Sequence, residues 1–170
     1  MAPHPFAIEP LRTARLLLEP LRVEHADEAA AAFDDVALHA FTGGAPASAD
    51  ELRARYARQV VGRSPDGSQV WLNWMARRAD GSDLVGTVQA TVALDGSEAE
   101  VAWVVATEHQ GRGYAREAAI ALATWLRGRG VRDLVAHVHP EHAASGAVAR
   151  AIGLVPTATI VDGEVRWSDG

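Results

Sequence analysis

Glu100-Val-Ala-Trp-Val-Val-Ala-Thr-Glu-His-Gln-Gly-Arg-Gly-Tyr-Ala-Arg116 is the stretch on which the fold turns. Its first half, to Ala106, is a valine-rich run with the character of a strand. From Gly113 onward the period changes: Ala118, Ala119, Leu122, Trp125 and Leu126 recur at the i, i+3/i+4 spacing of a helix that ends near Gly128 and Gly130. Between strand and helix lies a short loop with Gly111 and Gly113. Glycine allows the backbone close to a ligand and removes side chains that would block it. The N–H groups of the loop and of the helix start form an anion site, to which Arg112 and Arg116 add charge. The segment therefore reads as a phosphate or pyrophosphate cradle. A dinucleotide fingerprint would need G-x-G-x-x-G inside a parallel β-α-β unit, and only Gly111-x-Gly113 is present. A Walker-type loop needs a lysine, and the chain has none.

Working outward, residues 69–77, 84–94 and 98–106 are strand-like runs separated by Asp80-Gly81 and Asp95-Gly96, both hairpin turn signals, so an antiparallel meander precedes the cradle. Residues 1–10 hold three prolines and read as an irregular lead-in. Residues 11–21 read as a strand with Leu16 and Leu18 on one face and Pro20 ending it. Residues 23–35 read as an alanine-rich helix with Glu24, Asp27 and Glu28 in its first turn. Thr42-Gly43-Gly44-Ala45-Pro46 breaks the chain. Ser48 and Glu51 then form a capping box that opens a helix to about Val61, whose Arg53, Arg55 and Arg58 read as a solvated face. Beyond the cradle come a strand at 133–139, a helix at 142–152 closed by Gly153, and a hairpin of 155–161 with 164–167 turned at Asp162-Gly163. The order β-α-α-β-β-β-α-β-α-β-β predicts one α+β domain over residues 1–170, a mixed, mostly antiparallel central sheet flanked by helices.

Composition narrows the chemistry. The 170 residues are 48% apolar and 22% charged, ordinary for a globular protein. With no cysteine there is no disulfide, thiolate metal site or cysteine nucleophile. All 16 basic side chains are arginine, which excludes a Schiff-base lysine. The net charge of −6 gives no reason to expect nucleic acid or anionic membrane as a partner. No apolar run approaches a membrane span, and Met1-Ala2-Pro3-His4-Pro5 lacks the charged start of a signal peptide, so a cytoplasmic location is expected.

Gln110-Gly111-Arg112-Gly113-Tyr114-Ala115 resembles the Q/R-x-x-G-x-G/A acetyl-CoA signature of the GNAT N-acetyltransferase superfamily. Leu11-Arg-Thr-Ala-Arg-Leu-Leu-Leu-Glu-Pro-Leu21 is similar to the opening T-x-R-L-x-L-x-P-L of the branch that acetylates ribosomal-protein N-termini. Pro140-Glu141-His142-Ala143-Ala144-Ser145, with Ile152-Gly153-Leu154, resembles that branch's late motif. The resemblance implies that two neighbouring strands, near Trp103 to Val105 and Val135 to His139, splay apart to admit the pantetheine arm. Backbone of Trp103, Val104 and Val105 would then bond the arm as an added strand. Gln110, Gly111, Arg112, Gly113, Tyr114, Ala115 and Arg116 would hold the pyrophosphate. The implied reaction is direct transfer from acetyl-CoA to an amine, through a tetrahedral intermediate, with no metal.

Three residues become candidates for catalysis. Glu100 matches the acidic residue of the related strand pattern E-I-G-Y-W, with Ala102 in place of the usual glycine. Its alternative is an exposed carboxylate paired with an arginine. His137 is the rival base, at a position where relatives acting on protein N-termini carry glutamate. Ser145 matches a motif serine near the cofactor sulfur, suited to protonate the thiolate or bind pantetheine. His142 stands where asparagine is usual, and Ala149 where many relatives carry a tyrosine acid. His137, His139 and His142 lack a clear third ligand, so no metal site is expected. Trp103 is expected beside the acceptor pocket, and either Trp71 or Trp74 in the core. The acceptor is a small-molecule or peptide amine, the protein a monomer or homodimer. Alternatives are a non-catalytic acyl-CoA-binding module and an antibiotic-modifying acetyltransferase.

Overall fold

The computed structural model describes residues 4–41 and 43–170; residues 1–3 of the lead-in and Thr42 of the chain break lie outside them. The expected strand at 11–21 is two strands, β1 (Leu11–Arg12) and β2 (Leu16–Pro20). Thr13 turns the chain, its backbone N–H donating to the Leu16 carbonyl at 2.9 Å and its Oγ1 accepting from the Leu16 N–H at 2.9 Å. The alternation that suggested one strand holds in β2, where Leu16 and Leu18 are buried. A 3-10 turn at Val23–His25 leads into α1 (Ala26–Ala32), and a second at Val36–His39 follows it. Helix α2 (Ala49–Gln59) starts at the expected capping box: Ser48 Oγ accepts from the Glu51 N–H at 3.2 Å, and Glu51 Oε2 accepts from the Ser48 N–H at 3.0 Å.

The meander forms as β3 (Gln69–Arg78), β4 (Leu84–Ala93) and β5 (Glu98–Val105), paired antiparallel in sequence order. Helix α3 (Tyr114–Gly128) crosses over to β6 (Asp133–Val138), and α4 (Ala143–Ala151) precedes the hairpin of β7 (Leu154–Val161) and β8 (Glu164–Asp169). The sheet order is β1-β2-β3-β4-β5-β6-β8-β7, and among the described residues only the β5–β6 pair is parallel. A parallel pair needs a crossover of a dozen or more residues, which α3 supplies.

Helices cover both faces of this mixed α+β sheet. On one, Leu72 and Trp74 of β3 and Val101 of β5 pack against Ala118, Leu122 and Leu126 of α3. On the other, Met75 of β3 packs against Ala29 of α1 and Leu52 and Tyr56 of α2. The lead-in is irregular but anchored: Phe6 is in the core, and Glu9 accepts from Trp74 Nε1 through its carbonyl at 2.8 Å and from Trp125 Nε1 through its carboxylate at 2.6 Å. Among the described residues, no helix is long and apolar enough to cross a membrane.

Candidate active site

The parallel ladder between β5 and β6 has only three register pairs and stops at Glu100↔Val135. Past that point residues 101–105 pair only with β4, and residues 136–138 only with β8. The two strands part into a wedge. Ala106 donates to the Val85 carbonyl at 2.8 Å, so by the alternation of an antiparallel ladder the main-chain groups of Val104 face β4 and those of Trp103 and Val105 face the wedge. Gln110 Nε2 donates to the Val105 carbonyl at 3.0 Å and ties the strand end to the glycine loop.

Gly86 of β4 backs this strand in a way composition did not reveal. A Cβ there would overlap the Val104 carbonyl oxygen and lie 3.2 Å from the Val105 Cα, both rigid backbone. Gly86→Ala must therefore displace β5 at the wedge. Overpacking of this kind costs about 1–3 kcal/mol, or roughly 2–10 °C in the unfolding midpoint of a domain this size. A thermal melt that matches wild type would count against the close approach.

Gly111 and Gly113 adopt φ of 76° and 81°, the left-handed region, and Gly113 is the N-cap of α3. The first main-chain bond of the helix runs from Glu117 N–H to the Gly113 carbonyl at 3.0 Å. Among the described residues, the N–H groups of Gly111, Arg112, Gly113, Tyr114, Ala115 and Arg116 find no protein acceptor. Such a row of free donors at a helix start suits an anion. Thr13 and Arg15 of the β1–β2 turn buttress this loop. Glu117 accepts from Thr13 Oγ1 at 2.5 Å, from the Arg15 N–H at 3.0 Å and from Arg15 Nε at 2.8 Å. Arg15 Nη1 also donates to the Arg112 carbonyl at 2.9 Å, and its guanidinium lies over the Tyr114 ring at 4.7 Å. Burial pushes the Glu117 carboxyl up, but the bonds from Thr13 and Arg15 outweigh it and hold it below its usual range. The T-x-R of the opening motif carried this signal.

Glu100 and His137, taken from the sequence as rival bases, are partners: His137 Nδ1 lies 3.1 Å from Glu100 Oε1. The last parallel pair sets Glu100 beside Val135, and His137 is two residues on, hence on the same face. Among the described residues no arginine pairs with Glu100; Arg166 Nη2 donates to Glu98 Oε2, two residues before it, at 2.8 Å. Ser145 is not in this pair. It stands in the first turn of α4, where its backbone N–H donates to Nδ1 of the N-cap His142 at 3.2 Å. Burial, with the charge of His139 adding to it, lowers the His142 pKa, so the ring is neutral at pH 7 and its lone pair is available as a cap. The ring of Phe41 packs on His142 and His139, with centroids 4.4 and 5.2 Å apart.

Two adjoining cavities open on the α1/α2 face of the sheet. One, of about 280 Å³, is lined by Phe33, Leu52, Tyr56, Met75 and Val104 among others. The second, of about 310 Å³, has Trp71, Asn73, Gln89 and Thr91 as its floor, with Arg58 and Gln59 beside it. Arg55 borders both. One expectation changes here. Trp103 packs against the α3-side core, so Val104 takes its place at the cavity. Arg53, Arg55 and Arg58 are all exposed, as a solvated face should be; Arg53 pairs with Asp27 and Asp50, while Arg55 and Arg58 also border the cavities. Trp74 is the core tryptophan, while the half-buried Trp71 lies on the cavity floor. Among the described residues no cluster of three or more His, Asp or Glu could hold a metal.

An open, mostly antiparallel sheet that splits beside a glycine-bearing helix start is the fold of the GNAT acetyltransferases. Residues 15–155 match the model of the acetyltransferase (GNAT) domain, and the chain belongs to that family. Solved structures agree in fold. An acetyltransferase from Agrobacterium tumefaciens is 25% identical, with 97% of this chain and 96% of that one covered at a TM-score of 0.74. RimL, a ribosomal alpha-N-protein acetyltransferase in complex with coenzyme A, is 17% identical, with 94% and 97% covered at 0.76. A chimera of the spermidine N-acetyltransferase SpeG from Vibrio cholerae and hSSAT is 19% identical, with 92% and 95% covered at 0.73. No curated protein matches the chain.

Proposed function

We propose that this chain is an N-acetyltransferase, a single domain that transfers the acetyl group of acetyl-CoA directly to a primary amine of a small molecule or peptide N-terminus. The observation that carries the reading is the Glu100–His137 pair at the apex of the wedge, on the face where the two cavities open. A module that only bound acyl-CoA would have no use for a proton acceptor there.

The residues present fit the co-substrate. The free N–H groups of residues 111–116, with Arg112 and Arg116, would take the pyrophosphate, and the wedge-facing main chain of Trp103 and Val105 would take the pantetheine arm. When bound, acetyl-CoA supplies a thioester: the amine nitrogen bonds the acyl carbon, the C–S bond breaks, and CoA leaves as the thiol. The remaining demand is on the amine's proton. An amine of pKa ~10.4 is neutral about once in 10³ at pH 7, a cost of roughly 4–5 kcal/mol, whereas an α-amine near pKa ~7.8 needs about 1 kcal/mol. Glu100 meets the demand with a carboxylate open to the acceptor side. Because a carboxylate only accepts, Nδ1 of His137 is the donor in this contact and Glu100 Oε1 the acceptor, which leaves Glu100 Oε2 to accept the proton of the amine. Ser145 and His142, at the start of α4, are the groups proposed to protonate the thiolate or bind the pantetheine arm.

The test is release of CoA from acetyl-CoA, followed with a thiol reagent across amino acids, N-terminal peptides, polyamines and aminoglycosides. Amine-dependent release with an acetylated product is expected. Binding of acetyl-CoA with no release for any amine would leave a binding module and sink the reading.

A further inference from the structure

The chain carries 22 acidic residues and a net charge of −6, yet among the described residues no acidic side chain lines either cavity on the α1/α2 face. The walls are apolar or neutral amides and hydroxyls, apart from His39 at one rim and the guanidinium-bearing Arg55 and Arg58 of α2. Two neighbouring arginines find carboxylates: Arg53 pairs with Asp27 and Asp50, and Arg77 with Glu28 and Glu19. Among the described residues, Arg55 and Arg58 pair with none. They are three apart on one helix, neighbours of like charge, an arrangement that disfavours the helix unless an anion sits between them. Tyr56, in the same cavity, is kept a protonated donor because burial raises its pKa more than the Arg55 charge lowers it.

The floor of the trough sets its direction. Thr91 lies opposite Glu100 in the β4–β5 register, and Gln89 opposite Ala102. A molecule lying on Trp71, Asn73, Gln89 and Thr91 thus has the Glu100–His137 pair at one side and the two arginines at the other. We infer that the acceptor is an amine that also bears a carboxylate and an apolar side chain, an apolar amino acid or short peptide, with the carboxylate held by Arg55 and Arg58. A polyamine or aminoglycoside would bring positive charge against the two arginines, at the side of the trough away from Glu100. The negative net charge of the chain is thus a poor guide to its acceptor: Glu100 stands at the β5 side, and among the described residues no acid lines the trough itself. Which amine reacts rests on the acetyl-transfer reading; the binding of the carboxylate does not, and is measured by itself.

The full-length chain with CoA bound is titrated calorimetrically with N-acetylphenylalanine and with N-acetylphenylalaninamide. CoA release is measured alongside with phenylalanine, phenylalanylphenylalanine, phenylalaninamide, phenethylamine and spermidine. The acid is expected to bind ten- to a hundred-fold tighter than the amide, the range of a charge-assisted bond to a carboxylate. The Arg55→Gln/Arg58→Gln variant, which keeps helix propensity, is expected to bring that ratio to within about threefold. It should raise KM for phenylalanine far more than it lowers kcat, and far more than it changes KM for phenethylamine. The free amino acid against the dipeptide tells how far the carboxylate stands from the reacting amine. Equal binding of acid and amide, spermidine as the better acceptor, or an unchanged ratio in the variant would each overturn the inference. A carboxylate preference lost in the variant, with no CoA release for any amine, would uphold it while removing the acetyl-transfer reading.

Discussion

Glu100→Gln is expected to lower kcat by about 10²–10⁴ with an amine of high pKa, the usual contribution of a positioned general base. Glutamine keeps the shape and can still accept from His137 Nδ1, but it has lost the charge that takes the proton. With an acceptor of pKa near 8 the loss should be smaller, because less of the barrier is deprotonation. Acetyl-CoA affinity should hold, since Glu100 faces the side away from α3 and the glycine loop. The 3.1 Å contact adds a condition that neither residue alone would impose. Because the two groups act as a unit, Glu100→Gln combined with His137→Ala should cost no more than the worse single change, whereas independent groups would multiply. Damage in His137→Ala with a nearly silent Glu100→Gln would move the base to Nε2 of His137. Full activity in both would mean that the amine arrives already neutral.

Gly113→Val should weaken acetyl-CoA by well over tenfold. At φ 81° a β-branched residue is strained by about 1–3 kcal/mol, and each 1.4 kcal/mol is about tenfold in affinity. Its Cβ would stand 3.4 Å from Arg15 Nη2, a group with little freedom to move because Arg112 and Glu117 hold the same guanidinium. Strain and crowding both fall on the N–H groups proposed to bind pyrophosphate. Gly113→Ala, without the branch, should lose less. Calorimetry showing the affinity of Gly113→Val unchanged would count decisively against the cradle.

Local chemistry was the legible part of this protein. A capping box involves four consecutive residues, so Ser48 and Glu51 placed the start of α2 directly, and Asp-Gly pairs placed the meander turns. The turn after Arg12 was missed because it is made by a threonine side chain, with no glycine or proline to mark it. The site was legible as residue types and not as pairings. Glu100 and His137 are 37 residues apart and meet only through the short parallel register, which no hydrophobic period encodes. Arg55 and Arg58 repeat at a spacing any solvated helix face would show; that they border cavities whose described lining holds no acid is a property of the folded surface. Gly86 gave no signal either, since a glycine in a strand does not announce which carbonyl it makes room for.

The clasp between Glu117 and the Thr13–Arg15 turn makes ligand binding a matter of thermodynamic linkage between distant parts of the chain. A ligand that binds only the intact loop adds RT ln(1 + [L]/Kd) to the free energy of every opening that breaks it, about 2.7 kcal/mol at a hundredfold excess over Kd. The β1–β2 turn cannot release its three bonds to Glu117 without unseating Arg15 from the Arg112 carbonyl. Amide hydrogen exchange in that turn, roughly a hundred residues from the glycine loop in sequence, is therefore expected to slow when a ligand binds the loop.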